Sequence, residues 1–159
     1  MDAMSVSPTP MGSQRVSLEL PADPALLVMA CRMVCLYAEL QGMGERDCQR
    51  LELAVDEICT NCITHAYKRD VTKTYRVTAE RSDDDFLVVR VLDRGVGFDL
   101  GEVPNPDIRC PLDERQIGGL GLMFAVKATD ELCYKRTPEG ENCITMRKRI
   151  SPITQVAQA

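Results

Sequence analysis

The hydrophobic period of this chain changes several times, and each change marks an element. Arg15-Val16-Ser17-Leu18-Glu19-Leu20 alternates and predicts a strand that ends at Pro21. Asp23 followed by Pro24 supplies a helix N-cap and a first-turn proline. Leu26, Ala30, Met33, Tyr37 and Leu40 then recur at helical spacing, with Leu27 and Val34 beside them, until Gly42 and Gly44 stop the helix. A second helix is predicted from near Glu45 to about Tyr67, its core stripe being Leu51, Val55, Ile58, Cys62 and Ala66. Thr74–Arg81 and Phe86–Leu92 are β-branched or apolar runs joined by Ser82-Asp83-Asp84-Asp85, a hairpin signal. Asp99 to Ile117 carries Pro104, Pro106 and Pro111 and reads as a long connection, a length that usually marks a lid or mobile segment. Leu120–Thr129 predicts a short apolar helix, and Glu131–Arg136 with Asn142–Lys148 a last hairpin around Thr137-Pro138-Glu139-Gly140. The expected fold is an α/β (α+β) two-layer sandwich: a mostly antiparallel mixed sheet with three helices on one face.

Composition narrows the class. A length of 159 residues fits one domain with a sizeable core, expected over residues 15–150. Met1–Gln14 is rich in Ser, Pro and Met, lacks a basic start and an apolar stretch, and is not a signal peptide. It is expected to be disordered, as is the tail 151–159. No apolar run approaches the roughly 20 residues needed to span a membrane. A net charge of −5 argues against direct nucleic-acid binding, which needs a basic surface. The 8 cysteines are Cys31, Cys35, Cys48, Cys59, Cys62, Cys110, Cys133 and Cys143. Long amphipathic segments do not suit a secreted disulfide scaffold, so the expected compartment is the cytoplasm. Cys59 and Cys62 form a CxxC, but inside a helix and without the loop of a zinc knuckle. The cysteines therefore read as small buried hydrophobes, with no stoichiometric zinc expected.

Three segments carry the chemistry. Glu57, Asn61 and His65 stand at four-residue steps on the second helix, fanning over about 80° of one face at about 100° per residue. Asp93-Arg94-Gly95-Val96-Gly97 is an acid and two glycines directly after an apolar strand. Gly118-Gly119-Leu120-Gly121 is a glycine cluster opening a helix, where backbone N–H groups can meet phosphate oxygens. Together they describe a nucleotide site without a P-loop. An asparagine oxygen suits Mg²⁺, a glutamate one turn earlier can reach a hydroxyl, and a carboxylate at the end of an apolar strand needs a partner such as an amine.

With these motifs the chain resembles the GHKL (Bergerat-fold) ATPases, and among them the anti-sigma-factor serine/threonine protein kinases. The resemblance runs from about Val16 to Ile150. Glu57, Asn61 and His65 look like the family's N box, following Leu51-Glu52-Leu53-Ala54-Val55-Asp56, which is typical of the kinase branch. Asp93, Gly95 and Gly97 match the first glycine box, and Gly118, Gly119 and Gly121 the second. The resemblance implies ATP and Mg²⁺ as cofactors, with Asn61 on the metal and Glu57 acting on a substrate serine. Asp93 would accept from the adenine amine, and Gly118, Gly119, Leu120 and Gly121 would meet the phosphates. His65 is assigned either phosphate contact or a helix C-terminal role. Arg109 and Arg115 are both candidates for the lid cation. Where relatives carry a Gly-Thr near the last turn, this chain has Gly140-Glu141-Asn142-Cys143, and Asn142 is the candidate substitute at the adenine end. Where relatives often carry a partner-contacting arginine, an ungapped comparison puts Cys31, with Arg32 next to it.

No dimerisation-and-phosphoacceptor helix pair precedes the motifs, which implies a stand-alone ATP-binding module and not a complete sensor histidine kinase. The implied partners are an anti-sigma-factor antagonist protein, as phosphoacceptor, and a sigma factor or similar regulator; a homodimer stays open. Two rivals compete. One is a nucleotide-binding module that acts by sequestration without phosphotransfer. The other is a cysteine-based metal or redox sensor on the same scaffold.

Overall fold

The computed structural model describes residues 14–97 and 119–151. The expected disordered segments fall almost wholly outside these residues, and so does the proline-bearing connection. At the boundary, the Gln14 carbonyl accepts a 2.8 Å hydrogen bond from the Tyr37 hydroxyl.

Among the described residues five strands form one sheet: β1 (Val16–Pro21), β2 (Thr74–Arg81), β3 (Phe86–Asp93), β4 (Glu131–Arg136) and β5 (Asn142–Arg149). Their order is β1-β2-β3-β5-β4, and every pairing is antiparallel. Three α-helices accompany them: α1 (Leu27–Leu40), α2 (Glu45–Asn61) and α3 (Gly119–Ala128). α2 packs against both α1 and α3. The expected two-layer α+β arrangement is what forms.

Local chemistry accounts for the boundaries. The Asp23 carboxylate accepts from Ala25 N at 2.9 Å and opens a 3₁₀ turn, Pro24–Leu26, ahead of α1. Gly42, with φ +88°, reverses the chain between α1 and α2 in a conformation that suits glycine. Asp85 takes the left-handed position of the β2–β3 turn (φ 63°), which aspartate tolerates better than most residues.

Burial follows the strand period. Tyr75, Val77 and Ala79 of β2, Leu87, Val89 and Val91 of β3, and Ile144 and Met146 of β5 are all buried in one cluster with Leu51, Val55, Ile58 and Cys59 of α2. Successive strand side chains face opposite ways, so this alternation turns one face of the sheet towards the helices. The other face is more polar: Arg147 bridges Asp84 (2.6 Å) and Glu131 (2.8 Å), and Arg90 pairs with Glu80.

One element departs from the expected regular helix. α2 ends at Asn61, and Cys62–Ala66 forms a π-helical turn, closed by Tyr67 N donating to Cys62 O at 3.0 Å. Lys68 and Arg69 then adopt φ of 50° and 62°, and Arg69 N returns to Ile63 O at 2.8 Å. These two left-handed residues end the helix without the glycine that usually takes such a position. The wide turn frees the Ala66 carbonyl, which accepts from Val96 N at 3.0 Å. That partner lies beyond β3, so local helix propensity contains no sign of it.

Leu51 is fully buried in the centre of this packing. Leu51→Ala is expected to lower the unfolding free energy by about 2–5 kcal/mol. Urea denaturation measures it, and a loss under about 1 kcal/mol would show that the α2 interface is not the core described.

Candidate functional site

The site begins with Asp93, the last residue of β3, which is 5% exposed. A carboxylate at such depth must be hydrogen-bonded. Its Oδ1 accepts from Gly95 N at 2.9 Å and from Asn142 Nδ2 at 2.8 Å. Asp93 and Asn142 are cross-strand partners at the same end of β3 and β5. Asn142 is 1% exposed and its amide is filled: Oδ1 accepts from Tyr134 Oη (2.7 Å) and an Arg136 Nη (3.0 Å), and Nδ2 also reaches Gly95 O (3.2 Å). Asn142 therefore holds Asp93 in place. A carboxylate has acceptor sites on two oxygens, so the remaining capacity of Asp93 is available to a further donor. On its inner side stands the Cys62 thiol, whose pKa is raised, chiefly by burial and next by the charge of Asp93.

Gly95 is needed for proximity. A Cβ there would overlap the Ala66 carbonyl and its carbon, which are backbone atoms. At Gly97 an added Cβ would meet the end of the Arg136 side chain, which can move. The loop is further tied by Tyr67, whose hydroxyl accepts from Arg94 N at 2.8 Å and donates to Thr74 O at 2.7 Å. The acid–glycine loop is thus fastened to the end of α2 through Ala66 and Tyr67.

α2 carries the other two candidates one turn apart. Glu57 is half-buried and makes no hydrogen bond or ion pair among the described residues. Asn61 is half-buried, and its Nδ2 is buried without a partner. Leaving such a donor unpaired costs about 1–3 kcal/mol, a strain common where a ligand or ordered water completes the site. His65 lies in the π turn and is exposed; the wide turn breaks the regular four-residue step from Asn61. α3 begins at Gly119, so the backbone of Gly119, Leu120 and Gly121 forms the first turn of a ten-residue helix against α2. Gly118, Arg109 and Arg115 lie outside the described residues.

A depression of about 540 Å³ borders this region, lined by Ala66, Gly95 and Val96 together with Lys68, Lys73 and Arg94. Glu57, Asn61 and Asp93 do not line it, so it adjoins the site without being its cleft. Tyr67, Tyr134 and Arg136 were not among the sequence candidates. The signal available for the last two was register: Arg136 pairs with Asn142, and Tyr134 lies two residues earlier on the same face of β4.

A profile of the histidine kinase-like ATPase domain matches residues 20–148. The chain belongs to that family. Among its relatives is the serine-protein kinase RsbW of Bacillus cereus, 27% identical over 123 residues, spanning 75% of this chain and 76% of that protein. RsbW of Bacillus mycoides is 26% identical over the same length. Among solved structures, SiaB in the SiaB–SiaC complex of Pseudomonas aeruginosa superposes with TM-score 0.65 at 14% identity, over 83% of this chain and 88% of that one. The RsbU and RsbW domains of a Mycobacterium tuberculosis protein give 0.62 at 18%, over 87% of this chain and 33% of that longer one. At these identities the two structures speak for the fold.

Family membership makes the Gly95–Ala66 contact testable. Gly95→Ala is expected to lower stability by about 1–3 kcal/mol, because backbone must shift. Gly97→Ala is expected to cost about 1 kcal/mol or less, the loss of one Arg136 hydrogen bond. Paired chemical denaturation curves decide it, and equal losses would remove the distinction.

Proposed function

We propose that this chain is an ATP-dependent serine/threonine protein kinase of the anti-sigma-factor type. In this reading it phosphorylates an anti-sigma-factor antagonist and, in an alternative complex, binds a sigma factor or similar regulator in the cytoplasm. The observation that carries the proposal is the buried Asp93, held by Asn142 and Gly95 with acceptor capacity to spare, beside the end of the helix that bears Glu57 and Asn61. The names of the RsbW relatives support the kinase branch.

The residues fit the groups such a reaction needs. Asp93 offers an acceptor for the adenine amine. The first turn of α3 offers N–H groups for phosphate oxygens. Asn61 offers a neutral oxygen of the kind Mg²⁺ accepts beside phosphates and water, and its unpartnered amide nitrogen marks a side chain unsatisfied within the protein. When bound, Mg²⁺ would neutralise phosphate charge. Glu57, unpaired among the described residues, is free to orient the substrate serine hydroxyl and take its proton. The serine oxygen then bonds to the γ-phosphorus as the bond to the β–γ bridging oxygen breaks, leaving ADP. Positioning and charge neutralisation supply most of the catalysis in such transfers.

Nucleotide specificity is the first test. Mg·ATP is expected to raise the melting temperature, by about 2.7 kcal/mol of added stability at 100 times Kd, whereas GTP has no amine at the position Asp93 reads and is expected to give no shift. An equal shift with GTP would refute the role of Asp93, and no shift with any nucleotide would refute the proposal.

Phosphotransfer is the second. With labelled ATP and the antagonist protein, Glu57→Gln is expected to keep Mg·ATP binding while serine phosphorylation falls by about 10²–10⁴. Asn61→Ala is expected to weaken Mg·ATP binding instead. Unchanged transfer by Glu57→Gln would disprove its catalytic role. Tight ATP binding with no transfer from the parent protein to a verified partner would favour regulation by sequestration.

A further inference from the structure

Among the described residues, the five buried cysteines separate into two groups. Cys31, Cys59 and Cys62 are buried in the core beneath α1 and α2, as small hydrophobes would be. Cys62 and Cys59, the CxxC of the sequence, belong to this group. Cys35 and Cys48 differ, because they meet each other across the α1–α2 corner with a carboxylate beside them.

Cys35 and Glu39 stand one turn apart near the end of α1, and Cys48 lies in the first turn of α2. Their ligand atoms all lie within 4.8 Å of one another. The Cys35 Sγ to Glu39 Oε1 distance is 3.7 Å. A tetrahedral ion with metal–sulfur bonds of about 2.3 Å requires neighbouring donors about 3.8 Å apart, so small side-chain adjustments would suffice. The corner that carries the donors is well defined. Gly42 N donates to Glu39 O at 2.9 Å, Met43 N to Ala38 O at 3.0 Å, and Cys48 N to Gly44 O at 3.0 Å. Cys35 and Cys48 are buried and Glu39 is exposed, which leaves the carboxylate side open to solvent.

We propose that Cys35, Glu39 and Cys48 form a binding site for one thiophilic divalent cation of the Zn²⁺ type, with solvent completing the coordination. Binding releases the two thiol protons and clamps α1 to α2. The site is separate from the nucleotide residues: Cys48 and Asn61 are 13 positions apart on one helix, about 20 Å at 1.5 Å per residue. The proposal departs from the expectation that every cysteine is core filling and that the protein carries no stoichiometric zinc, although Cys35 and Cys48 also belong to the core cluster.

The test uses the full chain, reduced and stripped of metal, titrated with Co²⁺ and then with Zn²⁺ in competition. One equivalent of Co²⁺ is expected to produce thiolate-to-cobalt charge-transfer absorption, which Zn²⁺ removes. Cys35→Ser and Cys48→Ser are each expected to weaken binding at least about 100-fold, the upper end of what losing even an outer partner does. Cys133→Ser, away from the corner, is expected to bind as the parent does. Glu39→Gln keeps the fold secure, since Glu39 is exposed, and is expected to weaken binding about tenfold or more with the charge-transfer band retained. No charge-transfer band in the reduced parent overturns the proposal. So does a band that survives in Cys35→Ser and Cys48→Ser, or unchanged affinity in Glu39→Gln.

Discussion

The buried carboxylate of Asp93 is the constraint on which the site depends. A charged group at 5% exposure persists only if hydrogen bonds replace its water, and here they come from a neighbouring strand and from its own loop. Asn142 supplies one and is held by Tyr134 and Arg136, so β3, β4 and β5 converge on a single atom pair. Gly95 supplies the other, which sets the path of the loop towards α2. Each member removed takes a hydrogen bond from a buried group, and low dielectric magnifies the penalty. The arrangement therefore holds the Asp93 carboxylate in one orientation.

The same loop reaches α2 through backbone contacts. A regular α-helical ending would have used the Ala66 carbonyl differently; the π turn turns it over to Val96. π-helical turns recur at functional sites. Tyr67 completes the link by holding both Arg94 N and Thr74 O. The acid–glycine loop and the helix that bears Glu57 and Asn61 are accordingly one mechanical unit.

α2 is also where the two proposed sites meet the core. Its middle, around Leu51 and Val55, is fully buried, while the candidate ligands occupy its ends. The Cys48 thiol at its first turn, facing Cys35 of α1, and the Asn61 oxygen at its last would hold cations of different character. A cation clamping α1 to α2 would act on the helix that also positions Glu57 and Asn61.

Much was legible along the chain because its causes are local. Period two marked the strands, the helical period marked α1 and α2, and Asp23-Pro24, Gly42 and Asp85 marked their ends, since capping and turn geometry depend on neighbouring residues alone. The motif spacing likewise placed Glu57 and Asn61 one helical turn apart, with Asp93 at the end of an apolar strand. What the tertiary structure decided are pairings between positions far apart in sequence. Asn142 meets Asp93 because antiparallel register puts the two opposite each other. Gly95 must be glycine because Ala66, 29 positions earlier, comes too close for a side chain. Cys35 finds Cys48 because a tight corner folds α1 onto α2, whereas the adjacent CxxC that the sequence displays is buried in the core. Local propensity sees one element at a time; which donors share a site is settled only when elements pack.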